Sequence, residues 1–136
     1  LLNVEKLAAP FAYALDIMEG GERKAKPVDL PETFNYLLGL KVGSRQVHLR
    51  DGKLRYLVIR GTTNPHGEGG ERKVCVVWRD VTGWKPADFK ADAEFVKHEK
   101  MAAGVDEVFV NADSVVPDAR VLDPVFKERM FAPVVV

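Results

Sequence analysis

Apolar and polar positions along this chain repeat with two different periods, and the period changes at recognisable stop signals. In the segment 29–40, DLPETFNYLLGL, Leu30, Phe34, Leu37 and Leu38 fall at i, i+4, i+7 and i+8, which is one face of a helix. Asp29 is placed to accept from the first free backbone amides, and Glu32 to reach back to it. Pro31 suits the first turn, where its missing N–H costs nothing, and Gly39 supplies the left-handed residue that ends the helix. The period then drops to two. Val42, Ser44, Gln46 and His48 alternate with Gly43, Arg45, Val47 and Leu49, which predicts a half-exposed strand. Asp51-Gly52 is a strong hairpin signal. The returning strand, 54–61, puts Leu54, Tyr56, Val58 and Arg60 on one face.

After a Gly-rich loop at 64–71, residues 72–79 form the most apolar run and predict a strand buried on both faces. Residues 82–86 turn the chain into a second helix, with Phe89, Ala93, Val96 and Lys100 tracing one face, ending near Ala103-Gly104. The short strand 105–111 follows; the helical crossover predicts that it runs parallel to 72–79. A last helix spans 124–131, capped by Asp123, with Pro124 in its first turn and Phe126 and Met130 inward. Ahead of all this, 11–17 reads as a strand or extended arm, and 19–27, EGGERKAKP, as a flexible polar connection. The predicted division is therefore an N-terminal arm and linker at 1–27 and one α/β domain at 28–136. Its fold class is α/β (α+β): a mixed β-sheet of four to five strands with flanking helices, in the core order α-β-β-β-α-β.

Composition adds bounds. The 136 residues suit one domain, and 46% hydrophobic with 29% charged residues is ordinary for a globular chain. Lys plus Arg and Asp plus Glu total 20 each, so there is no bulk attraction to nucleic acid. DNA binding needs cations gathered on one face, and the candidates are Arg45, Arg50, Lys53 and Arg55, with Arg23, Lys24 and Lys26 as a second cluster. The ordinary reading of both sets is solvated turns and strand edges. The lone Cys75 sits in an apolar run, which predicts a buried small hydrophobe and fits a reducing cytoplasm. No apolar run approaches the roughly 20 residues that a bilayer crossing needs.

Candidate chemistry is sparse. The order α-β-β-β-α-β is also that of many restriction nucleases, which hold magnesium with an Asp and a Glu-x-Lys. Asp51 and Glu71-Arg72-Lys73 have those residue types. If their strands pair antiparallel, however, the carboxylates stand about 25 Å apart, far beyond metal-ligand reach, which leaves a degenerate nuclease-like domain kept as scaffold as the alternative reading. His48, His66 and His98 have no second ligand at metal spacing, so no metal site is expected. Asp88, Asp92, Glu94 and Glu99 read as the solvated face of the second helix, supported by Lys97 and Lys100. Ligands favour the carboxyl ends of parallel strands. That rule selects Trp78, Arg79 and Asp80 after one strand and Asn111 and Asp113 after the other as crevice candidates, with Arg60 and Thr62 near by if strand order permits. The plain alternative is that Arg79 and Asp80 pair or cap a turn and Asp113 shapes a loop.

The run VDLPETFNYLLGLKV resembles a block downstream of the catalytic domain in site-specific DNA adenine methyltransferases of the type III modification kind. Upstream, LLNVEKLAAPFAYALDI, and downstream, RYLVIRGTT, CVVWRD, DEVFVNADS and LDPVFKERMF, are similar to that family's segments in the same order. The resemblance covers residues 1 to 131, apart from the loop 64–71. It implies a C-terminal portion of a longer enzyme, in keeping with the opening Leu1, whose parent transfers a methyl group from S-adenosylmethionine to adenine N6. The family's Asp-Pro-Pro-Tyr motif has no counterpart, since Asp123-Pro124-Val125-Phe126 differs in its third position and lies at the wrong end. Gly69-Gly70 lies between two strands, a poor cofactor cradle. No catalytic, cofactor or metal residue is therefore expected here, and S-adenosylmethionine belongs to the parent. The expected partners are DNA through that parent, and a restriction or helicase subunit or a second copy. An apolar patch of Phe11, Tyr13, Phe131 and Val134 to Val136 would favour the protein contacts.

Overall fold

The computed structural model describes residues 7–12, 14–64, 67 and 70–130. After a 3-10 turn at Pro10–Ala12 come β1 (Ala14–Glu19), β2 (Glu22–Pro27), α1 (Leu30–Leu38), β3 (Lys41–Arg50), β4 (Leu54–Thr63) and β5 (Arg72–Arg79). There follow α2 (Pro86–His98), β6 (Glu107–Val110), β7 (Ala119–Val121) and α3 (Leu122–Met130). From α1 to β6 the order is the expected α-β-β-β-α-β. The main sheet has five strands in the order β3-β4-β5-β6-β7, and β1 and β2 form a separate two-stranded sheet. β3, β4 and β5 run antiparallel in succession, whereas β5, β6 and β7 run parallel. The mixed α+β sheet predicted by the pattern is the observed one.

Helix α1 forms as its sequence dictates. The Asp29 carboxylate accepts the Glu32 N–H at 3.0 Å, and Gly39 takes φ 71° and returns its N–H to the last turn. Glu32 does not reach back to Asp29; its carboxylate pairs with Arg45 of β3. Phe34 is the hub of one core, meeting the rings of Trp78, Phe109 and Phe126 at 6.0, 5.7 and 5.7 Å. Leu57, Ile59, Val74 and Val76 belong to this face of the sheet, while Tyr56, Val58, Cys75 and Val77 belong to the face under α2. The period-two alternation of β4 and β5 thus feeds two cores, and β5 is buried on both sides.

Four details depart from the pattern. Residues 22–27 are not a flexible connection: they form β2, because Gly20 and Gly21 at φ 61° and 82° close a tight hairpin back from β1. β3 is exposed along nearly its whole length, because it is the edge strand of the main sheet. α2 stops at His98, since Lys100 adopts φ 51° and the chain turns Met101 inward. Asp123 lies inside α3, and its carboxylate accepts the N–H of Ala112 at 2.7 Å, tying the loop after β6 to the helix. The Asp51-Gly52 turn is as expected, with φ 54° and 70°.

Candidate functional site

The carboxyl ends of β5 and β6 lie side by side, and what fills them is a buried polar cluster. Arg79, Asp92 and Asn111 are all fully buried. The Arg79 side chain donates through Nε to Asp92 Oδ1 at 3.2 Å, through Nη1 to the Asn111 carbonyl and through Nη2 to the Asp113 carbonyl. Asn111 Oδ1 accepts the Arg79 backbone N–H at 2.9 Å, while Nδ2 donates to the carbonyls of Leu7 and Arg79, each at 2.7 Å. The Tyr56 hydroxyl donates to Asp92 Oδ1 at 2.6 Å. Burial, then the Asp92 hydrogen bond and charge, raise the Tyr56 pKa, so the phenol stays a donor. Trp84 closes the cluster, with the Arg79 and Arg50 guanidinium carbons 5.5 and 5.3 Å from its ring centroid.

Sequence reasoning selected Arg79 and Asn111 but put Asp92 on the solvated face of α2. The structure corrects that. Asp92 follows Phe89 by three residues and precedes Val96 by four, so it shares their inward face, and Arg79 supplies the charge that makes burial tolerable. That spacing was the available signal. Asp80 caps its own turn by accepting the Thr82 N–H at 2.9 Å. Asp113 contributes its backbone carbonyl. Trp78 faces the opposite core, beside Phe34. Arg60 and Thr62 lie at the other end of the sheet, because β4 runs against β5 and Arg60 pairs with Cys75. Arg60 donates there to the carbonyls of Met101 and Ala103. The two strand ends therefore meet, but their own side chains fill the space between them.

The nuclease constellation does not assemble. Thr63 pairs with Arg72 and Tyr56 with Arg79, so Asp51 and Glu71 stand at opposite ends of the hairpin formed by β4 and β5. Among the described residues no group of three or more His, Cys, Asp and Glu is placed to hold a metal ion. Burial pushes the Cys75 thiol up to about 11, and it donates to the Met101 carbonyl at 3.2 Å. Among the described residues no helix is long and apolar enough to cross a membrane.

The four basic candidates are divided. Arg45 pairs with Ile59 across the sheet and Arg55 with Leu49, which sets both on the α1 side. These two line a cleft of about 320 Å³ with Phe11, Asp29 and Leu57, and Arg55 stacks on the Phe11 ring at 4.7 Å. Arg50 turns to the α2 side, where its Nη1 donates to the Tyr56 hydroxyl at 3.3 Å. Lys53 sits on the turn between β3 and β4. A second cleft, of about 420 Å³, gathers Arg72, Arg120 and Arg129, but Glu107 pairs with two of them, at 3.7 and 2.9 Å. Of the expected apolar patch, Phe11 is half-buried against the core, whereas Tyr13, Phe131 and Val134 to Val136 lie outside the described residues. Comparisons with protein-family models, with curated proteins and with solved structures found no match.

Proposed function

We propose that this chain is a non-catalytic accessory domain of an S-adenosylmethionine-dependent DNA adenine-N6 methyltransferase of the type III modification kind, acting in a cytoplasmic restriction-modification system. The ordered resemblance of its segments supports the family. The observation that carries the non-catalytic role is the buried Arg79–Asp92 pair. It fills the strand ends where an α/β sheet would otherwise hold a cofactor. Against a methyl-donor site there stands the crowding: a ribose or methionine moiety would have to displace the Arg79 guanidinium, which is hydrogen-bonded to Asp92 and Asn111 and lies over the Trp84 ring. The methyl donor, and the flipped adenine that receives the methyl group, belong to the parent's catalytic portion.

Two contributions were open to such a domain: DNA positioning and subunit contact. The division of Arg45, Arg50, Lys53 and Arg55 between two faces and a turn favours contact, because phosphate tracking needs cations on one surface. DNA is then held mainly by the parent enzyme. The test is reconstitution. The catalytic portion alone, assayed with and without this chain added in trans, should gain methyl-transfer efficiency when the chain is present. Full efficiency without the chain would remove the accessory role.

A further inference from the structure

From the open edge of the main sheet we infer that β3 is a docking strand for an extended, acidic segment of a partner protein, which pairs with it as a sixth strand. The inference gives the contact role above a place and a chemistry, yet it stands on geometry that needs no methyltransferase. β3 is a 10-residue strand at the sheet edge. Every second residue of an edge strand points its backbone N–H and C=O outward, unpaired. Edges are ordinarily guarded by bulges and charge on the side chains that would meet a newcomer. Here the bulge lies only at Val42/Ser44, and the pairing with β4 runs unbroken from Ser44 to Arg50.

Along that regular stretch the α1-side face carries Arg45, Val47 and Leu49, whose partners on β4 are Ile59, Leu57 and Arg55. Val47 and Leu49 are 56% and 59% exposed. Two exposed aliphatic side chains thus border the open ladder, at the alternate positions from which an added strand takes its specificity.

Charge selects the occupant. β3 carries Lys41, Arg45, His48 and Arg50 and no acid, in a chain whose cations and anions balance at 20 each. Among the described residues, the acids near the strand include Glu32, paired with Arg45, Asp29, which lines the same cleft as Arg45, and Glu99, 4.0 Å from His48. A second copy of β3 laid alongside would set cations against cations, which disfavours self-pairing. A segment alternating apolar residues with Asp or Glu satisfies the ladder, the exposed Val47 and Leu49 and the charge together.

The probe is a fluorescein-labelled peptide of alternating valine and glutamate, titrated into the purified chain by polarisation, with amide exchange of β3 followed by NMR. The expected result is saturable binding and slowed exchange at alternate amides between Arg45 and Arg50. Replacing glutamate by lysine, or N-methylating alternate peptide amides, should weaken binding about tenfold or more, by charge repulsion and lost ladder bonds respectively. The double variant Val47→Ser/Leu49→Ser should weaken it comparably, with unchanged circular dichroism. Four outcomes would overturn the inference: no protection of β3, equal binding of the lysine peptide, β3 protection that rises with protein concentration alone, and protection by duplex DNA in place of peptide. The last two would assign the edge to a second copy or to nucleic acid.

Discussion

Replacing Arg79 by Met should cost the fold about 3–5 kcal/mol, because it leaves the buried Asp92 carboxylate without its cation. Both groups are fully buried and 3.2 Å apart. At an effective dielectric constant of about 20, unit charges at that separation attract by about 5 kcal/mol before desolvation is counted. The loss should exceed that of Asp92→Asn. In Asp92→Asn the amide oxygen still accepts from Tyr56, and Arg79 keeps the carbonyls of Asn111 and Asp113. About 1–3 kcal/mol is expected there. The double variant Arg79→Met/Asp92→Leu removes both charges at similar volume. It leaves Asn111 bonded to the main chain of Leu7 and Arg79, so it should fall within about 3 kcal/mol of the parent. A chain of 136 residues has about 7–20 kcal/mol of total stability, so all three variants should fold. Urea denaturation at constant m-value gives each number, and the cycle built from Arg79→Met, Asp92→Leu and their double gives the coupling. Additive single effects, or an Arg79→Met cost below about 1 kcal/mol, would refute the view that this pair closes the sheet end.

Three further outcomes follow from single sites. Asn35 is buried with neither side-chain atom hydrogen-bonded among the described residues, so Asn35→Leu should raise stability by about 1–2 kcal/mol in the same urea assay. A Cβ at Gly61 would overlap the Lys41 carbonyl beside the β3 bulge, so Gly61→Ala should destabilise by about 2 kcal/mol or more and lower the thermal midpoint. Burial raises the Asp123 pKa, opposed by the Ala112 N–H, so the folded state binds a proton more tightly than the unfolded one. The contribution of this group is most favourable below the unfolded Asp pKa of about 3.9, and it declines as pH rises through the folded value. Asp123→Asn keeps an acceptor for Ala112 and should flatten that part of the stability–pH curve.

Much of the fold was legible because local signals and tertiary needs agree. Asp29, Pro31 and Gly39 each perform in α1 the role their chemistry favours, and the apolar run from Val74 to Trp78 is the doubly covered strand that its composition predicts. The core order followed from the change of period. Most of what could not be read was set by neighbours distant in sequence. Asp92 looked solvated because Lys90 and Glu94 lie two residues to either side; its spacing from Phe89 and Val96 pointed inward, but its burial depends on Arg79 arriving from β5. The alternation of β3 predicted a half-exposed strand without saying which face is covered, and the exposure of Val47 and Leu49 depends on β3 being an edge, which alternation cannot reveal. Residues 22–27 looked like a linker because lysines and arginines dominate them, but the Gly20-Gly21 turn imposes a hairpin. The candidate site was half legible for the same reason. Arg79 and Asn111 could be selected at the ends of parallel strands, yet nothing local said that they would bond to each other and fill the space between.

The most direct experiment asks whether the purified chain handles the methyl donor by itself. Equilibrium dialysis with radiolabelled S-adenosylmethionine, followed by incubation with adenine-containing duplex DNA, should show neither retained cofactor nor labelled DNA. Saturable retention of the donor together with label on adenine N6 would mean that the reaction centre lies within these 136 residues.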